Sequence, residues 1–287
     1  MLEVPSEVLF QDTYSILGIM TRLKIDALVI NRNLRVVTDR LVSGLLESKD
    51  FGKVGVVDAG SRIEEISTHT VVRDSSLEVE TFGLRINRGY NLAISWWMKQ
   101  EDKSDYVLLL PNDTEIQEQR LDVLAESLSV FRPIGAIIPL PIESPYRAIL
   151  PPGGIGLGWH FNEGPIILKS DFLEVFLRSG RPLFDPDNFR GYLAFVELAL
   201  QAYSNNFGIL ATDLISFAEN ESHLINHSEL IKTENVARNA ALLLAEGRIW
   251  LARKYGFLDG ITLENLTRLA FEEFMRLHPH YSDYKIR

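Results

Sequence analysis

Ser104-Asp105-Tyr106-Val107-Leu108-Leu109-Leu110-Pro111-Asn112-Asp113-Thr114-Glu115-Ile116 decides how this chain folds. A short apolar run bounded by turn residues reads as a strand buried on both faces of a parallel sheet. The run stops at Pro111-Asn112-Asp113, so a carboxylate follows the strand end, and a helical pattern is expected from Thr114 to Phe131. In open α/β sheets, ligands are met beyond the carboxyl ends of the strands. Asp113 is therefore placed to meet a metal or a phosphate-bearing ligand. An Asp that merely caps the next helix would read the same way.

Outward from this segment, apolar runs alternate with amphipathic stretches. Strands are predicted at Ile25–Ile30, Val54–Val57, Thr70–Val72 and Ile134–Ile138, with helices at Leu34–Leu46 and Gly89–Gln100. Such β-α alternation implies a mostly parallel sheet with flanking helices and right-handed crossovers. From Pro139 to Gly158 prolines and glycines are dense, and a long functional loop is expected there. A strand at Gly164–Lys169, helices at Asp171–Arg178 and Tyr192–Asn205, and a last strand at Ile209–Ile215 follow. From about Ser228 the pattern is wholly helical. The organisation read from this is an N-terminal helical segment at 1–23, an α/β domain at 24–220 and a helical C-terminal extension at 221–287.

The 287 residues include 39 acidic and 29 basic side chains, a formal charge of -10. That balance argues against a nucleic-acid partner, whose backbone needs a positive surface. There are no cysteines, which excludes disulfides and thiolate metal sites and fits a reducing, cytoplasmic setting. No apolar run approaches the ~18 residues of a membrane span, and the acidic first residues do not read as a signal peptide.

Three strand ends carry polar residues: Asn31-Arg32-Asn33, Asp58-Ala59-Gly60-Ser61 and Pro111-Asn112-Asp113-Thr114-Glu115. Between the last two lies Asn87-Arg88-Gly89-Tyr90-Asn91, at a helix start. In order and spacing these resemble the motifs of family 2 glycosyltransferases of the GT-A fold, among them rhamnosyltransferase-like members, over roughly Lys24 to Gly208. The resemblance implies a nucleotide-sugar donor, UDP- or dTDP-linked, bound by Asn31, Asp58, Asn87, Arg88 and Asn112. It also implies a divalent cation, Mn or Mg, at Asp113 with help from a histidine, His223 or, less well placed, His227. The chemistry is coherent, because a bare carboxylate repels a diphosphate and a cation between them reverses the sign. Asp58 has a second reading as a turn-forming Asp before Gly60.

On the acceptor side, Gly164-Pro165-Ile166-Ile167-Leu168-Lys169 resembles the strand that leads to the family's catalytic helix. Glu197 takes the place of its Asp base, which removes the proton of an acceptor hydroxyl in an inverting transfer. Asp185 and Asp187 are competing carboxylates just before that helix. Trp159 and His160, after the glycine-rich loop, are candidates for the acceptor sugar. The acceptor implied is a glycan, or a lipid-linked or protein-linked hydroxyl. Two departures stand out: Pro111 occupies the first place of the metal triplet, and Val196 and Ala199 flank the base position. They keep open a non-catalytic GT-A relative that binds nucleotide or sugar, or serves as a partner subunit. The C-terminal amphipathic runs, with Arg248, Arg253 and Lys254 nearby, read either as peripheral membrane contact or as cover for the core and a homo-oligomer interface.

Overall fold

A computed structural model describes residues 23–76, 86–161, 164–188, 190–219 and 236–286. Residues 1–22 of the expected N-terminal segment, and both His223 and His227, lie outside the described residues. In chain order the elements are β1 (Ile25–Asn31), α1 (Arg35–Glu47), β2 (Phe51–Asp58), β3 (Thr70–Arg73), α2 (Ile86–Trp97), β4 (Tyr106–Pro111) and β5 (Thr114–Gln119). They continue with α3 (Leu121–Leu128), β6 (Ile134–Pro141), β7 (Ile155–Leu157), β8 (Ile166–Lys169), α4 (Ser170–Ser179), α5 (Ala194–Ser204) and β9 (Gly208–Glu219). Two long helices, α6 (Val236–Tyr255) and α7 (Gly260–Leu277), come last.

The described strands form one mixed sheet in the order β3-β2-β1-β4-β8-β6-β9-β5, with β7 paired to β9. β1, β2, β3, β4, β6 and β9 run one way, and β5, β7 and β8 run against them. Every residue of β1 is buried, as expected of a strand covered by helices on both faces. Gly89 lets α2 approach that strand, since a Cβ there would sit 2.8 Å from the Ile30 Cγ2. Helix α7 shares the sheet's core, with Phe271, Phe274 and Met275 in one buried cluster with the strands, and Trp250 and Leu251 of α6 form a smaller one with Val196 and Leu263.

The segment after Asp113 corrects the sequence reading. It is a strand, β5, followed by the shorter helix α3, and not one helix from Thr114 to Phe131. β5 pairs antiparallel with β9, Thr114 opposite Glu219. That partner comes from a hundred residues further on, and a tertiary pairing overrides the local helical pattern. For the same reason β9 runs on to Glu219, past the expected end at Ile215. The glycine-rich stretch likewise contains a strand, β7, docked on β9.

Asp26, 1% exposed at the start of β1, has no cation against it among the described residues yet is fully bonded. It accepts from Lys53 N (2.8 Å), Ser104 N (2.9 Å), Ser104 Oγ (2.8 Å) and Trp97 Nε1 (2.7 Å). One carboxylate thereby holds β1, the start of β2, α2 and the turn before β4. Removing it leaves several buried donors unmet. Asp26→Ala should lower unfolding stability by about 3 kcal/mol or more, read from the midpoint of chemical denaturation; a loss within about 0.5 kcal/mol would contradict this account.

Candidate functional site at the strand ends

The register of the parallel strands brings three polar ends together. Asn31 lies opposite Asp58, and Ile30 opposite Pro111. β4 and β5 are separated by the two residues Asn112 and Asp113, so the chain must turn at the edge where β1 and β2 also end. Beneath that turn is a buried polar network. Asn31 Nδ2 donates to Asp58 Oδ2 (3.0 Å), Ser61 Oγ (3.1 Å) and the Glu65 carbonyl (3.0 Å). Asn31 Oδ1 accepts from Thr38 Oγ1 (2.8 Å) and from Asn112 Nδ2 (3.3 Å). Asn112 Nδ2 also reaches Thr38 Oγ1 (3.3 Å) on α1.

Asp58 is fully buried. Its Oδ1 accepts from Ser61 N (2.9 Å) and lies 3.5 Å from Arg73 Nε at the end of β3. Asn31 and Asp58 thus build the floor of this edge. Asp113 is half-buried and lines a hollow of about 270 Å³ between α1 and β5, with Arg40, Leu41, Thr114 and Ile116 among its walls. Thr114, 2% exposed, has a hydroxyl with no hydrogen-bond partner among the described residues.

No group of three or more His, Cys, Asp or Glu among the described residues is arranged to hold a metal. Asp113 is the one acid of the Pro111-Asn112-Asp113 triplet, and Asn112 turns its amide inward to Asn31 and Thr38. This donor set does not form a protein-only cage. It fits a cation of the Mg or Mn kind held by one carboxylate and completed by phosphate oxygens and water.

On the facing side, Asn87 in the first turn of α2 is 2% exposed. Its Nδ2 donates to the carbonyls of Asp185 (3.0 Å) and Asn188 (3.1 Å), and its Oδ1 is buried with no partner among the described residues. Arg88 follows it, half-buried. Asn91, one turn on, exchanges bonds with the backbone of Phe184 (2.6 and 3.1 Å). Helix α2 is therefore fastened to the segment that leads into α5. That segment ends at Leu193, a non-glycine residue with φ of 52°.

Glu197 lies in the first turn of α5, toward the strand-end side, but its carboxylate faces α6. Glu197 Oε1 is 2.6 Å from Lys254 Nζ and accepts from the Tyr255 hydroxyl (2.5 Å). Lys254 Nζ also donates to Asp185 Oδ2 (2.5 Å), as does Trp250 Nε1 (3.1 Å). Burial raises the Glu197 carboxyl above the ordinary glutamate range, and the Lys254 charge only partly offsets it. For Asp185, burial pushes up but the bonds from Lys254 and Trp250 outweigh it, and the net direction is down. Burial likewise pulls on Lys254, yet its two carboxylates carry it upward.

Asp185, Lys254 and Tyr255 line a second hollow, of about 660 Å³, which shares no wall residue with the one at Asp113. The structure brings Asn31, Asp58, Asn112 and Asp113 together. It does not bring Glu197 into the same hollow. Trp159 and His160 sit elsewhere again. Leu157 is opposite Leu210, so the chain leaves β7 toward the beginning of β9, the other end of the sheet from Asp113. There His160 Nδ1 meets the Tyr146 hydroxyl (3.2 Å) and its Nε2 lies 3.8 Å from Glu264 of α7. Sequence reasoning missed Thr38, Arg73, Trp250 and Tyr255, and gave Lys254 no partner. Only Arg73 had a signal, a cation ending the strand beside an acid-terminated one.

No family model matches the sequence, and no curated protein is significantly similar to it. Solved structures do match. GalNAc-T7 with UDP, GalNAc and Mn2+ aligns with a TM-score of 0.53 at 12% identity, covering 91% of this chain and 58% of that one. The mannosyltransferase PcManGT from Pyrobaculum calidifontis, in complex with GDP-Man and Mn2+, gives 0.44 at 13% identity, over 92% and 85% of the two chains. Glucosyl-3-phosphoglycerate synthase from Mycobacterium tuberculosis, in complex with phosphoglyceric acid, gives 0.46 at 12% identity, over 84% and 82%. The chain has the GT-A fold of nucleotide-sugar transferases. It spans 58% of the length of the GalNAc-T7 structure.

The buried carboxylate sets a pH test. Glu197 has a folded pKa above its unfolded one, so its contribution to stability is full below the ordinary glutamate value and is lost as pH rises through the folded value. Glu197→Gln lacks that loss. The variant should therefore gain stability relative to wild type as pH is raised from 4 to 7, measured by denaturant melts. A difference that stays flat, or shrinks with rising pH, would refute the assignment.

Proposed function

We propose that this protein is a glycosyltransferase that moves a sugar from a nucleotide-diphosphate donor to a hydroxyl acceptor, with inversion. The observation that carries the reading is the buried polar network at the strand ends. Asn31, Thr38, Asp58 and Ser61 are all 0% exposed there, directly under the turn that presents Asp113. Burying that many polar groups at one edge adds little stability over an apolar core, and the carboxyl ends of parallel strands are where such folds meet ligands. The family 2, rhamnosyltransferase-like motif order supports the same reading, as does a fold like that of a structure holding UDP and Mn2+.

In this reading Asn31 and Asp58 form the floor under the nucleoside, and Asn87 and Arg88 face the diphosphate from the α2 start. Asp113 would hold the cation. When bound, a divalent ion at Asp113 supplies positive charge against the departing diphosphate. The acceptor oxygen attacks the anomeric carbon, the carbon–oxygen bond to the diphosphate breaks, and the hydroxyl proton passes to a carboxylate. Glu197 is the candidate for that last role, a carboxyl that burial raises toward the proton it must take. The acceptor would be a glycan or a lipid- or protein-linked sugar, as in cytoplasmic polysaccharide synthesis.

One observation favours a second reading. Glu197 is 2% exposed, and its Oε1 is taken by both Lys254 and Tyr255. A carboxylate so enclosed suits a nucleotide- or sugar-binding protein without turnover. The two readings separate in one set of measurements. Calorimetry with UDP and Mn2+ should show binding that Asp113→Asn weakens by about tenfold or more, alongside hydrolysis or transfer from a panel of nucleotide sugars. Turnover that Glu197→Gln cuts by about 100-fold or more supports the enzyme. Binding with no turnover supports the binding protein, and absence of UDP binding with either Mn2+ or Mg2+ sinks both.

A further inference from the structure

We infer that Lys254, in the C-terminal helix α6, is a positioning residue for the acceptor half of the site, and that α6 is thereby coupled to the donor edge. This rests on the reading above that the segment from Phe184 to Glu197 faces the acceptor.

That segment is held from two sides. From the donor side, Asn87 and Asn91 of α2 bond the backbone of Phe184, Asp185 and Asn188. From the other side, α6 meets it along its length. Glu246 pairs with Arg190 at 3.0 Å, and the Arg190 side chain is only 7% exposed. At Gly247 a Cβ would lie 2.3 Å from the Tyr192 ring, so the helix packs there as closely as a backbone can. Lys254 closes the row. Its Nζ lies between Asp185 Oδ2 and Glu197 Oε1, at 2.5 and 2.6 Å, and thus joins the start of the segment to the first turn of α5.

Asp185 is the shared link. Its side chain is set by Lys254 and Trp250 of α6, while its carbonyl receives Asn87 of α2. Without the cation, Asp185 and Glu197 lose the one group that joins them, and a buried acid left without its partner is costly. The tie between the start of the segment and α5 is then gone, and the anchor of Asn87 is loosened with it. A methionine at 254 keeps most of the length and the apolar stem of the lysine and removes the ammonium with its charge and its hydrogen bonds. An arginine keeps the charge.

The test uses the full chain as wild type, Lys254→Met and Lys254→Arg. Several amides of the segment donate bonds that report on its order, among them Asn188 N to the Asp185 carbonyl (3.2 Å) and Asp187 N to Asp185 Oδ1 (2.9 Å). In Lys254→Met, hydrogen exchange across 184–192 should quicken by about tenfold or more, with β1 and β4 unchanged. UDP affinity in the presence of Mn2+ should fall about threefold to tenfold, although α6 contributes no residue to the strand ends. Lys254→Arg should recover most of both. Unchanged exchange at 184–192, faster exchange spread evenly over the chain, unaltered UDP affinity, or failure of arginine to rescue would each overturn the inference. If wild type binds no UDP, the function proposed above fails, and the exchange results alone decide whether Lys254 positions the segment.

Discussion

The side-chain amide of Asn31 is the joint on which the strand-end architecture rests. It is the last residue of β1, and its two polar atoms bond to β2, to the turn after β2, to α1 and to the turn after β4. An amide suits this place because it presents a donor group and an acceptor oxygen a fixed distance apart. A carboxylate would repel Asp58, and an apolar residue would leave buried partners unmet. The position of Asp113 follows from it, since Asn112 is tethered to the same oxygen and the next residue is held where the chain reverses.

A second constraint acts across the crevice. The segment before α5 has little regular structure, and its backbone is satisfied mainly by side chains from α2 and by its own turns. Buried backbone groups need partners, and here they come from α2 and from the segment's own turns rather than from a ladder. Leu193 is held at φ 52° in the same stretch, a conformation that costs a non-glycine residue about 1 kcal/mol or more and persists only when the surroundings enforce it. The segment before α5 is thus ordered by what grips it, whereas the strand-end edge is ordered through its own strands.

Much of the α/β plan was legible in the sequence. β1, β2, β4 and β6 each contain a short apolar run bounded by polar or turn residues, and α1 and α2 carry an apolar stripe at helical spacing. The strand after Asp113 was not legible. Thr114 to Gln119 holds one apolar residue, Ile116, among polar ones, too few to fix a period, and its pairing partner, β9, lies about a hundred residues on. At the site, the residue types at the strand ends pointed to Asn31, Asp58 and Asp113, and the register of parallel strands places them side by side. The orientation of Glu197 was hidden. Its apolar neighbours indicated burial correctly, but burial against which element depends on Lys254 and Tyr255, 57 and 58 positions away, and spacing along a chain carries no such information. Trp159 and His160 were read from their nearness to a glycine-rich loop, and the direction of β7, unseen in the sequence, carries them to the other end of the sheet.

The strand order also dictates how the chain must mature as it is made. β4, whose Leu108, Leu109 and Leu110 are wholly enclosed, pairs on one side with β1 and on the other with β8. Until residues 166–169 have emerged from the ribosome, that second side is an open apolar edge, the kind of surface on which nascent chains stick to one another. The delay spans the whole stretch from 112 to 165. Chaperone protection would be needed most during that interval, long before the terminal helices exist.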